Sequence, residues 1–281
     1  MLLPQAEELK NILPKDGPTF EETKKYLEKY SKDFIVIKVG GSVLSNKNLF
    51  NYLIQDISIL KKLGLTIFLV HGGGSKISEK LKTLNIKSNF IDGLRVTDDK
   101  TINIVEEVLI EFNKEIVNAL NKQSCETRRI TSKEYNIITV NPESEELGFV
   151  GTPTHIDINV LKEIIKKDEL PVIASLGLDK NNQTFNINAD TVAGMIAKEL
   201  KARRLIILSD VEGVLDINKK LISEINSEQA EQMIHNKIIS GGMIPKINNC
   251  IIVAKNGVKA VCIIDGRKKH SILFELLSDK G

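Results

Sequence analysis

Lysines beside glycine-rich turns recur along this sequence, and both the lysine ammonium and the backbone amides of such turns bind anions. Lys38 ends an apolar stretch that begins at Phe34, and Gly40 and Gly41 follow it directly. Glycines let the backbone turn sharply and leave its amides unshielded, and amides beside a fixed cation form a phosphate site. Lys246 also follows a glycine pair, at a predicted helix start where a cation opposes the helix dipole. Both lysines are therefore candidates for contact with a polyanion.

Three further clusters carry groups that could complete such a site. His71 precedes a glycine run that includes Gly73 and Gly74, and it either takes part in catalysis or orders that loop. Arg95 follows a glycine by two residues and is either a surface arginine or a fork for a carboxylate. Asp190 lies at a predicted helix start, which favours a carboxylate whether or not it does chemistry. If it does take part in the chemistry, Asp190 would orient a lysine and a substrate.

The elements that would position these groups alternate between buried strands and amphipathic helices. Apolar runs such as Leu205–Asp210 are typical of strands buried on both faces of a parallel sheet. Apolar residues at helical spacing, as over Leu49–Leu63, predict the helices between them. We therefore expect an α/β fold with ligands at the carboxyl ends of its strands. Ser209 and Asp210, followed by Gly213, fall at that edge and suit a ribose or a base.

Composition narrows the class of protein. The chain has 281 residues, 42% of them hydrophobic and 27% charged, which fits one large globular domain or two lobes. The net charge of +2 gives no indication of a nucleic-acid partner or an anionic membrane. Three widely spaced cysteines favour a reducing compartment over disulfides or zinc. No apolar run approaches ~18 residues and no secretion signal is recognisable, so we expect a cytoplasmic protein.

Two segments have alternative interpretations. Residues 1–32 predict a helical arm, with Thr19 and Glu22 as a capping box. The arm either packs on the domain or docks on a second subunit. Residues 125–155 predict a strand and a turn, which could form a hairpin that covers the cleft and excludes water.

The motifs I-K-V-G-G, H-G-G-G, D-G-L-R-V-T, N-I-N-A-D, L-S-D-V-x-G-V-L and G-G-M-I-P-K, in this order, resemble those of the amino acid kinase family. Within the family, they are most similar to members that phosphorylate the side-chain carboxylate of N-acetyl-L-glutamate in arginine biosynthesis. The resemblance implies a three-layer αβα sandwich with an open, mainly parallel sheet. It implies the helical arm at 1–32, a substrate lobe at 33–190 and a nucleotide lobe at 191–281. It also implies ATP as donor, Mg²⁺ carried by the nucleotide, and a homo-oligomer, either a dimer or a hexamer.

The resemblance assigns roles to individual residues. Lys38 and Lys246 match the lysines that stabilise the transferring phosphoryl group, and Asp190 matches the aspartate that organises them. The Gly41 amide would meet the phosphoryl oxygens. The remaining matches are Gly73, Gly74, Arg95 and Asn186 for the substrate, with Arg95 on its α-carboxylate, and Ser209, Asp210 and Gly213 for the nucleotide.

The C-terminal stretch resembles the segment that binds L-arginine in feedback-inhibited members. We therefore expect a possible arginine site at His270, Glu275 and Gly281, and inhibition by arginine.

Departures from the family's motifs leave alternative interpretations of the function open. The helix after D-G-L-R-V-T lacks a usual glycine, and Thr127–Lys133 replaces a common turn, as in bifunctional members that add an acetyltransferase domain. The alternatives are thus a truncated kinase domain of such a protein, a non-catalytic arginine sensor, or an aspartate or glutamate 5-kinase. Retention of Lys38, Asp190 and Lys246 favours catalysis, and Arg95 argues against the other two kinases.

Overall fold

The computed structural model describes residues 11–30, 32–41, 43 and 46–279. The strands are β1 (Phe34–Val39), β2 (Thr66–His71), β3 (Phe90–Ile91), β4 (Leu94–Arg95), β5 (Thr127–Ile130), β6 (Ile138–Pro142), β7 (Gly151–Ile156), β8 (Leu170–Ala174), β9 (Leu176–Leu178), β10 (Thr184–Asn186), β11 (Arg204–Ser209) and β12 (Ala260–Asp265). The helices are α1 (Phe20–Tyr30), α2 (Lys47–Lys62), α3 (Gly74–Thr83), α4 (Asp99–Asn121), α5 (Ile158–Lys166), α6 (Ala189–Glu199), α7 (Ser227–His235), α8 (Met243–Lys255) and α9 (Ser271–Leu277).

The central sheet has six strands in the order β12-β11-β1-β2-β8-β5, and all neighbours are parallel. β1 lies inside the sheet, and its residues 35–37 are fully buried, as expected for an apolar run covered on both faces. The carboxyl ends of parallel strands share one edge. Lys38 lies near that edge, opposite Ile207 of β11 and Val70 of β2.

Helices cover both faces of this sheet. Ile35 and Ile37 belong to a core shared with α1, α2, α4 and α9, whereas Val36 belongs to a core shared with α5, α6 and α8. Successive side chains of a strand point to opposite faces, so Lys38 points to the same side as Val36. Strand alternation thus directs Lys38 to the layer of α6 and α8. The predicted αβα sandwich is confirmed.

The predicted hairpin lies in a second sheet, whose order is β10-β9-β6-β7. β6 and β7 pair antiparallel, and their connection packs on the segment after β4. Thr97 N donates to Leu147 O at 2.9 Å, and Phe149 N donates to Thr97 O at 2.7 Å. A Cβ on Gly148 would lie 2.4 Å from Thr97 O, so the close approach requires glycine. Motion of this hairpin as a lid stays a prediction.

The described part of the N-terminal arm packs on its own chain. The capping box forms, since Thr19 N donates to Glu22 Oε2 at 3.0 Å and Glu22 N donates to Thr19 Oγ1 at 3.3 Å. Leu27 and Tyr30 are buried in the core that α9 also lines. Residues 1–10 lie outside the described residues, and docking of the arm on a second subunit stays a prediction.

The central sheet joins the two predicted lobes. β1, β2, β5 and β8 come from 33–190, and β11 and β12 come from 191–281. The boundary at Asp190 falls in the first turn of α6, and the division into lobes stays a prediction. Among the helices that the structure describes, none has the length and apolar character to cross a bilayer.

Candidate active site

Asp190 joins the two predicted lysines near the carboxyl edge of the central sheet. Its Oδ1 lies 2.7 Å from Lys38 Nζ, and its Oδ2 lies 2.6 Å from Lys246 Nζ. The three side chains are between 12% and 15% exposed, so salt and solvent screen these pairs only weakly. The fold thus brings two ammonium groups from distant parts of the chain to one carboxylate.

The start of α6 fixes the position of Asp190. Asn188 is the N-cap, and its side chain accepts hydrogen bonds from the N–H groups of Asp190 and Thr191. Such a cap satisfies backbone donors that have no partner within the helix. It therefore holds the first turn, and the carboxylate on it, in place.

Close contact between α6 and α8 brings Lys246 to this carboxylate. A Cβ on Gly194 of α6 would lie 2.7 Å from Val253 Cγ2 of α8, so the two helices approach closely at a glycine. Asn249 Nδ2 donates to the main-chain oxygen of Asp190 at 2.7 Å. Lys246 lies one turn before Asn249 on α8, so the same helix face carries both contacts to Asp190.

The charges of this cluster do not balance. Burial raises the pKa of the Asp190 carboxyl, but the ammonium groups of Lys38 and Lys246 outweigh burial and hold that pKa below its usual 3.8. Burial lowers the pKa of Lys38; Asp190 opposes this shift, and the charge of Lys246 adds to it. Within the triad two cations face one carboxylate, and the charge of Asp210 also raises the pKa of Lys38. An anionic ligand would add a further partner for the two ammonium groups.

The glycines after β1 leave space for the Lys38 ammonium. A Cβ on Gly40 would lie 2.8 Å from Lys38 Nζ. Gly41 has a φ of +60°, in the left-handed region that glycine adopts at no cost, with open space where a side chain would be. Ser75 Oγ donates to Gly41 O at 3.3 Å. This bond links the loop after β1 to the loop after β2.

The loop after β2 leads into the N-terminus of α3, where glycines leave the backbone amides without side chains over them. Gly72 N donates to Val39 O at 3.0 Å. A Cβ on Gly73 would meet Leu109 Cδ2 at 2.7 Å, whereas one on Gly74 would meet nothing within 4 Å. Unshielded amides at a helix N-terminus favour an anion.

His71 orders this loop. Its ring is fully buried, its Nε2 lies 3.0 Å from Asn113 Nδ2 and its Nδ1 lies 3.2 Å from Gly72 O. Burial lowers the pKa of His71 to about 4, so the ring is neutral at neutral pH. The Asn113 amide is the donor at Nε2, which leaves the proton on Nδ1 for the Gly72 carbonyl. The geometry favours the loop-ordering interpretation over a catalytic one.

Arg95 is buried against neutral acceptors. It is 7% exposed, and burial lowers the pKa of its guanidinium. Nη2 donates to Gly74 O at 3.0 Å and to Ser78 Oγ at 2.8 Å, and Nη1 donates to Ser88 Oγ. The guanidinium therefore lies beside the first turn of α3.

Asn186 lies close to the segment that carries Arg95. Its Nδ2 donates to Thr97 Oγ1 at 3.4 Å, and its backbone N–H donates to Phe149 O at 2.9 Å. Thr97 is two residues beyond Arg95. The two predicted substrate residues thus lie on neighbouring segments.

The predicted nucleotide residues lie at the carboxyl edge of β11, the strand beside β1. Ser209 Oγ donates to Asp210 Oδ1 at 3.5 Å. Gly213 has a φ of +140°, and a Cβ there would lie 2.8 Å from Leu221 Cδ1. The edge that carries Lys38 therefore continues into this loop.

The sequence analysis did not identify two residues that lie near the site. Asn249, the α8 partner of Asp190, carries no local signal beyond its spacing from Lys246. Arg267 follows β12, and its Nε and Nη2 donate to Asp265 Oδ1 and Oδ2 at 2.8 and 2.9 Å. That hydrogen-bonded pair raises the pKa of Arg267, and the charge of Asp210 adds to the shift.

His270 and Glu275 do not join this cluster. His270 is 1% exposed, and its Nδ1 lies 2.6 Å from Asp56 Oδ1. Glu275 Oε1 lies 2.9 Å from Nη2 of Arg204, the residue that begins β11 at the amino edge of the sheet. Gly281 lies outside the described residues.

Comparison with known proteins decides the family. Residues 33–265 match the amino acid kinase family. The chain belongs to this family. It is 69% identical over 277 residues to the acetylglutamate kinase of Pelagibacter ubique (strain HTCC1062), covering 99% of this chain and 96% of that relative. It is 41% identical over 270 residues to the acetylglutamate kinase of Rhodopseudomonas palustris (strain BisB18), covering 91% of each.

Solved structures share the fold of this amino acid kinase family member. N-acetylglutamate synthase from Neisseria gonorrhoeae, complexed with coenzyme A and N-acetyl-glutamate, matches with a TM-score of 0.85 at 21% identity. The match covers 93% of this chain and 61% of that one, so this chain spans less than two thirds of the synthase. The protein smu.665 from Streptococcus mutans UA159 matches with a TM-score of 0.76 at 30% identity, covering 83% of this chain and 95% of that one.

Proposed function

We propose that this chain acts as an acetylglutamate kinase, which transfers the γ-phosphoryl group of ATP to the side-chain carboxylate of N-acetyl-L-glutamate in arginine biosynthesis. The observation that carries the proposal is the buried Lys38–Asp190–Lys246 cluster at the carboxyl edge of the sheet. Similarity to acetylglutamate kinases over 99% of the chain supports the same activity.

The lysine cluster provides the electrostatic part of the reaction. The bond between the γ-phosphorus and the oxygen that bridges to ADP breaks, and a carboxylate oxygen of the acceptor bonds to phosphorus, so no proton is transferred. Negative charge spreads over the equatorial oxygens during this exchange, and catalysis depends on positioning and charge stabilisation. Lys38 and Lys246 neutralise that charge, Asp190 fixes the direction of both ammonium groups, and the Gly41 amide donates to a phosphoryl oxygen.

The acceptor lies against the loop after β2. The backbone at Gly73 and Gly74 has no side chain to keep an acid away, Arg95 binds the α-carboxylate, and Asn186 makes a further contact. Arg95 suits this role because it is buried and a guanidinium can bind a carboxylate in a bidentate fork.

The nucleotide lies along β11, where Ser209, Asp210 and Gly213 contact its ribose or base. Mg²⁺ is carried by the phosphate oxygens, the ligands that this ion usually takes from substrates. Both oxygens of Asp190 already face lysines. Among the described residues, no group of three or more His, Cys, Asp or Glu side chains is placed to hold a metal ion.

The reaction is tested by incubating the chain with ATP, Mg²⁺, N-acetylglutamate and hydroxylamine, which traps the acyl phosphate as a hydroxamate. Lys38→Ala and Lys246→Ala should each lower kcat by at least about 100-fold, because each removes a buried positive charge that stabilises the transferring phosphoryl group. Lys255→Ala is the matched control for Lys246. It lies on the same helix and also pairs with a carboxylate at 2.6 Å, that of Glu231, but on the surface.

The control variant should retain the wild-type rate. Absence of hydroxamate with the wild-type chain, while glutamate and aspartate are also inert, would contradict a kinase and favour the sensor alternative. Equal decreases of kcat in Lys246→Ala and Lys255→Ala would contradict a catalytic role that is specific to the buried lysine.

Inhibition by L-arginine and assembly into a homo-oligomer stay separate hypotheses, which rest on the resemblance of the C-terminal stretch and the arm. Glu275 already pairs with Arg204, so a bound arginine would have to displace that guanidinium or use other acceptors. A rate that stays constant up to millimolar arginine would reject the inhibition, and sedimentation velocity would give the oligomeric state.

A further inference from the structure

Arg95 is surrounded by uncharged groups that fix its orientation. Its nitrogens donate to Gly74 O at 3.0 Å, to Ser78 Oγ at 2.8 Å and to Ser88 Oγ. The Phe90 ring covers one face, with its centroid 4.7 Å from the guanidinium carbon. We call these four residues, Gly74, Ser78, Ser88 and Phe90, the Arg95 cradle.

The cradle spans two elements that enclose the guanidinium. Gly74 and Ser78 lie one turn apart on α3, whereas Phe90 pairs with Arg95 itself across the β3–β4 hairpin. Ser88 lies in the connection between them. The side chain is therefore clamped between a helix and a hairpin, which removes most of its rotational freedom before any ligand binds.

The cradle orients the positive charge without neutralising it. The half-buried Arg204 has Glu275 at 2.9 Å, whereas Arg95 has no carboxylate partner among the described residues. A buried charge without an ionic partner is costly, and an incoming anion recovers that cost. Each serine accepts from Arg95 with its oxygen and keeps its own O–H as a donor, so both hydroxyls can also donate to that anion.

We propose that Ser78 and Ser88 are positioning residues, which aim Arg95 at the α-carboxylate of the acceptor and set the preference for a substrate with a free α-carboxylate. This inference rests on the proposed function. Loss of either hydroxyl leaves the guanidinium with two of its three acceptors, so it samples other orientations and binds the carboxylate less well. The phosphoryl transfer itself depends on Lys38 and Lys246 and continues at the same rate once the substrate is bound.

The test compares two acceptors on the full chain, N-acetylglutamate and its α-carboxamide, which keeps the reacting side-chain carboxylate. In Ser78→Ala and Ser88→Ala, the KM for N-acetylglutamate should rise about 10-fold, as for loss of a hydrogen bond to a charged group, with kcat and the KM for ATP within about twofold. The preference for the acid over the amide, as a ratio of kcat/KM, should fall by the same factor. Ser78→Thr restores a hydroxyl and should restore much of the preference.

Thr83→Val is the matched control, because it removes a hydroxyl from α3 that donates to Lys80 O at 2.7 Å, within the same helix. It should leave both KM values unchanged. Equal losses for the acid and the amide in Ser78→Ala and Ser88→Ala would indicate a merely structural role and overturn the inference, as would unchanged KM values. A wild-type chain inactive on N-acetylglutamate would instead overturn the proposed function, so the two failures are distinguishable.

Discussion

One added methyl group at Gly40 tests whether the position of the Lys38 ammonium limits catalysis. In Gly40→Ala, the new Cβ would lie 2.8 Å from Lys38 Nζ and 3.3 Å from Lys38 Cε. Ordinary contact begins at 3.4 Å, so the ammonium has to move by at least ~0.6 Å to escape repulsion. That movement changes the 2.7 Å pair with Asp190 Oδ1.

The expected loss follows from the size of this shift. Misplacement of a reacting group by about 1 Å costs about 100-fold in rate, so we expect kcat to fall about 10- to 100-fold. This corresponds to about 1.4–2.7 kcal/mol in the activation barrier. The end of a lysine side chain can move without its backbone. We therefore expect the free energy of unfolding to change by less than about 1 kcal/mol.

The hydroxamate assay at saturating substrates measures kcat, and urea unfolding measures stability. Urea unfolding also serves as the control, because equal stability of the two chains excludes a general structural effect. If Gly40→Ala keeps a kcat within twofold of wild type at equal stability, the ammonium position does not limit the rate and the reasoning is refuted.

Two further predictions concern charge. Asp190→Asn keeps the side-chain size but leaves two ammonium groups facing a neutral amide. We therefore expect kcat to fall at least about 100-fold and the free energy of unfolding to decrease by about 3 kcal/mol. A stable, active variant in the same assays would contradict this. For His71, whose pKa falls from 6.5 to about 4 on burial, the unfolded chain binds the proton first as the pH decreases. Wild-type stability should therefore drop by about 3 kcal/mol between pH 6.5 and pH 4. His71→Asn should lose most of that drop in urea unfolding, whereas a variant of the exposed His155 should keep it, and equal pH profiles for all three chains would refute the role of burial.

Much of the fold could be predicted because its inner strands are apolar, and because glycines directly follow two of them, β1 and β2. The family, the αβα fold class and the activity expected from the motifs are confirmed. β5 (Thr127–Ile130) was not predicted. It is an edge strand of Thr-Arg-Arg-Ile with only its last residue fully buried, and Arg128 pairs across it with Glu169. An edge strand of this composition shows neither an apolar run nor a clear alternation.

The candidate site also contains some residues that the sequence predicts and others that it does not. Lys38, Asp190 and Lys246 could be found because each lies at a strand end or a helix start, where its residue type is informative. Asn249 and Ser78 lie inside helices as ordinary polar residues, and only the tertiary contact gives them a partner. The individual roles of the site residues stay predictions until the variants are measured.

The position of Lys38 on a central strand restricts how the chain can evolve in length. Because strand side chains alternate with a period of two, one inserted or deleted residue before Lys38 would turn it to the opposite face. Its ammonium would then enter the apolar core of α1 and α2, and Asp190 would lose a partner. β1 can therefore exchange one apolar residue for another among descendants of this gene, but insertions and deletions have to accumulate in exposed turns such as the one around Lys219.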